Sequence, residues 1–202
     1  NAHLIWDEAH STGMWGKNGS GLACETSRHT AIFARIYTFG KAMGVHGACI
    51  TGSQVLIDYL INFARPFIYT TALPLHSLLS IQEAFNYINL HPELSTAIHQ
   101  KIQFFTHTLE QYPLLTQCWI QSKSPIQVIK IGGNTFTKHI AASLQQAGFD
   151  VRAILSPTVK EGEERLRICL HTYNTNDQIE ELLDKLHTLS KQLPEENVFS
   201  VS

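Results

Sequence analysis

Two short apolar runs near the start of the chain both stop abruptly at residues that can carry chemistry. Residues 3–6 are followed by an Asp-Glu-Ala-His segment at 7–10, and residues 36–39 are followed by Gly40 and Lys41. A short buried strand that ends in polar side chains is typical of the carboxyl edge of a sheet, where open α/β folds bind their ligands. The pattern therefore predicts an α/β fold with a candidate site at that edge.

Lys41 is the candidate nucleophile of this edge. Gly40 and Gly44 would let a bulky ligand approach the backbone beside it. A lysine in a tight, partly dry pocket becomes nucleophilic near neutral pH, as Schiff-base chemistry requires. Taken alone, the pattern is more typical of a surface lysine that follows a strand, so the assignment depends on other residues.

The composition argues against several classes of partner. The chain has 202 residues, enough for one large domain or two small ones, and its hydrophobic content of 44% is ordinary for a globular core. A formal net charge of −2 gives no electrostatic reason to expect a nucleic-acid partner. No apolar run reaches the length of a membrane span, so we expect no membrane partner.

The cysteines and the N-terminal residues indicate the cellular context. Cys24, Cys49, Cys118 and Cys169 show no CxxC spacing, which argues against a zinc ribbon or a disulfide framework and favours a reducing compartment, the cytoplasm. There is no signal peptide. The chain starts directly in a strand-like run without an initiator methionine, so we expect it to be the C-terminal part of a longer protein.

Hydrophobic periodicity predicts alternating strands and helices in the first half of the chain. Residues 34–39 and 48–51 are predicted strands, and residues 67–71 are predicted to be extended after a helix break at Arg65-Pro66. Apolar residues at helical spacing predict helices within 55–63, 78–88 and 94–109.

The pattern changes after Pro113 to short strands and two helices, which predicts a small α+β domain. Strands are predicted at 126–131, 151–155 and 166–170, and Gly148 is predicted to end the first of the two helices. Thr175 and Gln178 form a possible capping box for the last helix. The tail after Leu193 is predicted to be frayed. We place the domain boundary at His91, which divides the chain into 1–91 and 92–202.

Three polar residues stand out besides Lys41, each with an ordinary alternative. Asp7 and His10 could both point into one cleft, where the carboxylate would hold a protonated heterocyclic nitrogen and the histidine would donate to an oxyanion. They could equally be an ordinary strand terminus. Arg167, on the polar face of its strand, suits a bidentate grip on a carboxylate, or a structural ion pair with Glu163 or Glu164.

Two other functions fit parts of the sequence poorly. The Asp-Glu-Ala-His segment at 7–10 also spells the acidic box of a DEAH-type nucleic-acid ATPase, but Gly40-Lys41 lies in the wrong order for that enzyme and there is no basic surface. The eleven histidines suggest a metal site, but His3, His10, His29 and His46 show no HxxxH or HExxH spacing, so we expect none.

Four motifs together resemble those of the α-oxoamine synthases, a family of pyridoxal-phosphate (PLP) enzymes with the aspartate-aminotransferase fold, fold type I. The motifs occur in family order and cover nearly the whole chain: DEAHSTG at 7–13, TFGKAMG at 38–44, YTTALP at 69–74, and SPTV at 156–159 followed by RLRI at 165–168. The resemblance implies that 1–91 is the C-terminal half of the PLP-binding large domain, with a mostly parallel sheet, and that 92–202 is the small α+β domain.

The resemblance also implies roles for the cofactor residues. Lys41 would bind pyridoxal 5'-phosphate covalently and later move the substrate α-proton. Asp7 would pair with the pyridinium nitrogen, and His10 would donate to the phenolic oxygen. Thr38 would hold the phosphate. Thr70 matches a position that reaches the phosphate bound by the neighbouring subunit, which implies a homodimer with a shared active site.

The implied reaction is the decarboxylative condensation of an amino acid with an acyl-CoA. Arg167 would bind the amino-acid carboxylate, and Thr158 would belong to the same substrate site. The wording of the motifs is most like members that use L-alanine and a pimeloyl thioester, with glycine and acetyl-CoA as the alternative pair. Leu155 departs from members that carry an arginine near the substrate, so Arg167 would act alone or with help from elsewhere.

Overall fold

The computed structural model describes residues 2–27 and 29–191, and the chain divides into two compact units, Asn1–Ser95 and Thr96–Ser202. The division lies inside a helix just after His91, the boundary predicted from the sequence. The predicted frayed tail after Leu193 lies outside the described residues.

The first unit contains a three-stranded sheet of mixed direction. Strand β1 (Leu4–Asp7) runs parallel to β2 (Ile32–Thr38), and β2 runs antiparallel to β3 (Ala48–Gly52). The pairing of β1 with β2 agrees with the expected mostly parallel sheet, and the antiparallel pairing of β2 with β3 departs from it. The physical reason is the connection between β2 and β3: residues 39–47 are fewer than the roughly a dozen that a parallel crossover needs.

Helices follow the sheet in the first unit. The Ser53 hydroxyl accepts a hydrogen bond from the Leu56 N–H and caps the first helix, which is the usual role of a serine at this position. The helices of this region are α1 (Gln54–Phe63), α2 (Arg65–Ile68), α3 (Leu75–Leu90) and α4 (Glu93–Leu109), the last of which continues into the second unit.

The predicted extended segment at 67–71 is wrong for its first two residues. The helix does break before Arg65-Pro66, but Phe67 and Ile68 complete the short helix α2. Proline is compatible with the first turn of a helix, where its missing N–H has no intrahelical acceptor, so Pro66 begins a new turn instead of an extended segment.

The second unit is an antiparallel sheet with helices, which confirms the predicted α+β character. Its strands lie in the order β4-β5-β7-β6. The sequence predicted two helices after Pro113, and the described residues up to 191 contain three α-helices, because the short helix α5 begins at that proline. The elements are α5 (Pro113–Cys118), β4 (Trp119–Ile120), β5 (Ile126–Lys130), α6 (Asn134–Gln146), β6 (Arg152–Ile154), β7 (Arg165–Cys169) and α7 (Asn176–Ser190).

The core of the second unit lies on one face of this sheet. In β7, Leu166 and Ile168 are buried whereas Arg167 is exposed, as the predicted alternation requires. Both features predicted for its helix ends are present: Gly148 follows α6 with a φ of 93°, and α7 starts with the capping box of Thr175 and Gln178. The apolar side of α7 is formed by Ile179, Leu182, Leu183 and Leu186, all buried.

The structure was also inspected for membrane-spanning helices and for disulfide bonds. Within residues 2–27 and 29–191, no helix is both long and apolar enough to cross a membrane. All four cysteines are free thiols.

Candidate active site at the carboxyl edge of the first sheet

Asp7 and Thr38 lie on the same face of the first sheet, at the carboxyl ends of two parallel strands. Asp7 is the last residue of β1 and is paired with Ile36 of β2. Residues paired across strands point to the same face, and so do residues two apart along a strand, so Thr38 shares the face of Ile36 and Asp7. This arrangement brings a carboxylate and a hydroxyl to one edge, as the motifs predict.

The segment that carries Lys41 is anchored by its neighbours. Phe39 and Met43 are buried, and the Phe39 N–H donates to the Gly47 carbonyl at 2.9 Å. Lys41 itself is exposed, and its amine has no hydrogen-bond or ionic partner among the described residues. The first unit therefore presents a solvent-exposed lysine between two buried side chains, and the described part of this unit does not build the dry pocket expected around it.

The loop after β1 packs directly against the Lys41 segment. A Cβ atom at Gly13 would lie 3.2 Å from the Met43 sulfur and 3.4 Å from the Ala42 Cβ, and Gly13 has a φ of 80°. Both the close approach and the positive φ favour glycine here. His10 lies in the turn that leads into this loop and is exposed. Asp7, His10, Thr38 and Lys41 are thus all found at this edge.

Glu8 is a residue of this edge that sequence reasoning missed. It is fully buried, and its carboxylate accepts hydrogen bonds from the Leu22 N–H at 3.0 Å, the Ala23 N–H at 2.6 Å and the Ser11 hydroxyl. The sequence did contain a signal for this role. The backbone N–H groups at the end of the glycine-rich loop at 11–21 need hydrogen-bond acceptors, and Glu8 is an acidic residue close to the start of that loop.

The opposite face of the sheet carries a separate polar layer. Trp6 pairs with Arg35 there, and Tyr37 shares that face. Burial raises the pKa of the Tyr37 phenol above its ordinary value, a hydrogen bond with Arg35 offsets part of the rise, and the Glu8 carboxylate adds to it. Tyr37 is therefore protonated near neutral pH.

Two features of the edge leave room and an unused hydrogen-bonding group for a ligand. The Thr38 hydroxyl oxygen is buried and has no hydrogen-bond partner among the described residues. An unsatisfied buried hydroxyl costs about 1–3 kcal/mol, which a ligand oxygen would relieve. A Cβ atom at Gly40 or Gly44 would meet nothing within 4 Å, so open space adjoins the backbone on both sides of Lys41.

The position of Thr70 differs from that of the other cofactor candidates. It follows α2 and is exposed, and its N–H donates to the Phe67 carbonyl at 3.4 Å. Its neighbours Phe67 and Tyr69 are 60% and 79% exposed. The described contacts do not join Thr70 to Asp7, Thr38 or Lys41, so the structure of this chain does not bring it together with them.

In the second unit, the two candidate arginines have different environments. Arg165 donates to the Glu163 carbonyl at 2.7 Å and to the Glu163 carboxylate at 3.1 Å. Arg167 is exposed and makes no side-chain hydrogen bond or ion pair within the described residues. The predicted alternative of a structural ion pair between Arg167 and Glu163 or Glu164 is therefore wrong, because Glu163 pairs with Arg165 and the buried Glu164 accepts from the Gly133 N–H.

Arg167 has a second arginine directly opposite it. Arg152 on β6 is its cross-strand partner, and the Arg152 Nε lies 2.8 Å from the Asp150 carboxylate. Like charges opposite each other repel, and Asp150 offsets the charge of Arg152. Thr158 is exposed in the loop between β6 and β7, where the Asn134 side chain holds Ser156 through two hydrogen bonds.

We also searched the described residues for clusters of metal ligands and for grooves. No group of three or more metal-ligating side chains is found in residues 2–27 and 29–191. A groove of about 650 Å³ in the second unit contains none of the candidate residues. Its lining includes Ile102, Thr106, Glu110, Trp119 and Lys123.

The chain is similar to known enzymes along most of its length. It matches the aminotransferase class I and II family over residues 1–186. It is 36% identical over 194 residues to the 8-amino-7-oxononanoate synthase of Emericella nidulans, a match that covers 93% of this chain and 46% of that protein. The chain spans about half the length of the curated relatives it matches.

Solved structures share the fold. The 8-amino-7-oxononanoate synthase of Francisella tularensis aligns with a TM-score of 0.80 and 30% identity, over 93% of this chain and 55% of that one. A serine palmitoyltransferase variant from S. paucimobilis, solved with bound PLP and myriocin, aligns with a TM-score of 0.81 over 94% of this chain and 47% of its own. At 19% identity, this second likeness concerns the fold alone.

These similarities bear on the interpretations drawn from the motifs. The relatives confirm the resemblance to the α-oxoamine synthases and the fold type I architecture. They decide against the DEAH-type ATPase, since the residues that spell its acidic box lie inside the family match. The chain therefore belongs to the aminotransferase class I and II family.

Proposed function

We propose that this chain is part of an 8-amino-7-oxononanoate synthase, which condenses L-alanine with a pimeloyl thioester in biotin biosynthesis and releases CO₂ and CoA. Relatives of that name at 34–36% identity support the proposal. Residues 1–91 would be the C-terminal half of a PLP-binding large domain and residues 92–202 the small domain. The enzyme would act in the cytoplasm.

The observation that carries the proposal is the fit of PLP to the edge beside Lys41. Thr38 offers a buried hydroxyl without a partner among the described residues, which suits a phosphate oxygen. The open space at Gly40 and Gly44 would admit a ring close to the backbone. PLP supplies an electron sink for charge that develops at the substrate α-carbon.

The polar side chains around this space suit the roles implied by the family. Lys41, whose amine is without a partner in the described part of the chain, would hold the cofactor and exchange a proton with the substrate α-carbon. Asp7, on the same sheet face as Thr38, would keep the ring nitrogen protonated through charge pairing. His10, in the adjoining turn, would donate a hydrogen bond to the phenolic oxygen.

The second unit would bind the amino acid. The Arg167 guanidinium is exposed and without an ionic partner among the described residues, so it is available for the two-pronged contact that a carboxylate accepts. Thr158, in the loop held by Asn134 and Ser156, would be a second contact of the substrate.

We further propose a homodimer in which Thr70 reaches the site of the neighbouring subunit. Two exposed apolar side chains near Thr70, those of Phe67 and Tyr69, support this, because exposed apolar patches mark sites of contact with other protein surfaces. Mixing Thr70→Val with Lys41→Ala subunits of the complete protein should restore activity, since one site of each hybrid then has both native residues. Hybrids that form but stay inactive would exclude the shared site.

The substrate assignment is tested by a panel of substrates given to the complete protein with PLP. CoA release should be fastest with L-alanine and pimeloyl-CoA. A preference for glycine with acetyl-CoA would instead identify a 2-amino-3-ketobutyrate CoA ligase, and serine with palmitoyl-CoA would identify a serine palmitoyltransferase. No CoA release with any pair would contradict the proposed reaction class.

A further inference from the structure

We infer that Glu8 is a positioning residue of the cofactor site: it fixes both the turn that carries His10 and the loop that packs against the Lys41 segment. The inference rests on the proposed function. It goes beyond that function because Glu8 is buried and acts only through other residues.

The Glu8 carboxylate fastens the far end of the loop. It accepts from the consecutive backbone N–H groups of Leu22 and Ala23 and from the Ser11 hydroxyl. A Cβ atom at Gly21 would lie 2.5 Å from the carboxylate carbon, so the backbone can approach this closely only at a glycine. Three donors on one buried carboxylate form a charge-assisted set that defines the path of the loop.

The Glu8 carbonyl fastens the near end of the same loop. It accepts from the Ser11 N–H at 3.0 Å, the Thr12 N–H at 2.8 Å and the Thr12 hydroxyl at 2.6 Å. His10 lies at the outside of this turn, between Glu8 and Ser11. The orientation of the His10 backbone is therefore set by hydrogen bonds that converge on Glu8.

The loop transmits this order to the Lys41 segment. The Gly13 N–H donates to the Gly19 carbonyl at 2.8 Å, and the space beside Gly13 is filled by the side chains of Ala42 and Met43, the two residues after Lys41. A set of contacts thus runs from the Glu8 carboxylate through the loop to the side chains of Ala42 and Met43, which follow the candidate cofactor lysine.

The position of Glu8 excludes a direct catalytic role. It is completely buried, and both oxygens of its carboxylate are occupied by the N–H groups of Leu22 and Ala23 and by the Ser11 hydroxyl. A glutamine at this position would turn one acceptor oxygen into a donor that faces the N–H groups of Leu22 or Ala23. The loop would then have to move, and His10 and the Lys41 segment would move with it.

The test uses the complete protein, with Glu8→Gln, Glu8→Asp and Glu164→Gln compared to wild type. Glu164 is the matched control because it is also a buried glutamate that accepts from a backbone N–H, but it lies in the second unit. The readouts are the Kd for PLP, the pH midpoint of the absorbance of bound PLP, and amide exchange of the cofactor-free protein.

Glu8→Gln should weaken PLP binding by at least about tenfold, equivalent to about 1.4 kcal/mol, and should shift the pH midpoint. Exchange at Leu22 and Ala23 should accelerate. Glu8→Asp should be intermediate, because it keeps the charge but shortens the reach. Glu164→Gln should leave the PLP affinity and the midpoint at their wild-type values.

A Glu8→Gln variant with wild-type affinity and midpoint would overturn the inference, and so would a Glu164→Gln variant with the same losses. If Glu8→Gln does not fold, Glu8→Asp decides: an unchanged midpoint and affinity would overturn the inference. A wild-type protein that binds no PLP, or whose bound PLP is unaffected by Lys41→Ala, would instead contradict the proposed function.

Discussion

The two units of the chain treat their apolar side chains in opposite ways. Among the described residues, 17 of the 19 large hydrophobic side chains that are exposed lie in the first unit, and only Ile120 and Tyr173 lie in the second. Of the 23 buried hydrophobic residues in the part of the chain that the structure describes, 18 lie in the second unit. The five in the first unit are three alanines, Phe39 and Met43.

This difference indicates how each unit is stabilised. The second unit packs α6 against its own strands β6 and β7 and against α7, so its core is formed by its own elements. The first unit leaves β3 exposed along its whole length, together with most of α1. Exposed apolar surface of this extent marks a region that other protein surface covers. The first unit therefore holds the cofactor candidates beside a large exposed apolar surface.

The largest effect that tests this contrast is expected from core truncation. Leu183→Ala, at a fully buried position, should lower the free energy of unfolding of the second unit by about 2–5 kcal/mol. Val55→Ser, at a side chain that is 79% exposed, should change the stability of this chain by less than about 0.5 kcal/mol. Peptide-resolved hydrogen exchange in urea measures each unit separately.

The same Val55→Ser substitution in the complete protein sharpens the comparison. If another segment of the complete protein or a second copy covers this surface, the substitution should lower the free energy of unfolding more in the complete protein than in the 202-residue chain. An equal loss of stability in the complete protein and in the 202-residue chain would contradict the contrast between the units. So would a loss in the 202-residue chain as large as that caused by Leu183→Ala.

The next effect tests whether the second unit binds the amino acid while the first unit binds PLP. Arg167→Lys keeps the charge but loses the planar two-pronged contact, so the KM for the amino acid should rise by about 10- to 100-fold, equivalent to about 1.4–2.7 kcal/mol. The affinity for PLP should stay near normal, because its candidate residues lie in the first unit. Amino-acid titrations of the complete protein measure both quantities.

Arg165→Lys is the matched control for this substitution. Arg165 is occupied by Glu163, so its replacement should reduce the stability of the second unit and leave the KM for the amino acid largely unchanged. A rise in KM with Arg165→Lys and none with Arg167→Lys would show that Arg165, and not Arg167, binds the carboxylate.

The smallest effect is a pH dependence confined to the second unit. The pKa of His187 is lowered by burial and by the nearby Lys191, against the opposing charge of Asp184, and its ring lies 5.1 Å from that of Tyr112. The unfolded chain, with a histidine pKa of about 6.5, then binds the proton more strongly than the folded chain. Stability is therefore full above that pH and falls as the pH drops through the folded pKa.

His187→Gln should flatten this loss between about pH 7 and 5, the range in which an unfolded histidine gains its proton. His107→Gln is the control, because the His107 side chain is 80% exposed. Thermal unfolding of the second unit at several pH values measures the slope. A wild-type slope in the His187 variant would refute the explanation.

The sequence predicted most of the second unit because its signals are local. The alternation in β7, the glycine after α6 and the capping box at Thr175 each depend on a few neighbouring residues. The edge of the first unit was also predictable, because Asp7 and Thr38 end apolar runs and Lys41 follows a glycine. These patterns reflect backbone geometry that holds in many folds.

The errors occur where the geometry of a connection or turn, or a distant residue, decides, because hydrophobic periodicity encodes none of these. The direction of β3 depends on the length of its connection to β2, and Ile68 is helical because Pro66 starts a turn instead of an extended segment. The role of Glu8 depends on a loop that returns 14 residues later, to Leu22. Burial of that kind leaves no periodic signal, so Glu8 looked like one more polar residue at a strand end.

The attachment point of the cofactor tests the central claim most directly. The complete protein is loaded with PLP, reduced with borohydride to make the bond to its lysine permanent, digested and mapped by mass spectrometry. The account predicts a modified peptide that contains Lys41, and no modification of that peptide in Lys41→Ala. Modification of Lys17 or another lysine, with Lys41 unmodified, would contradict it.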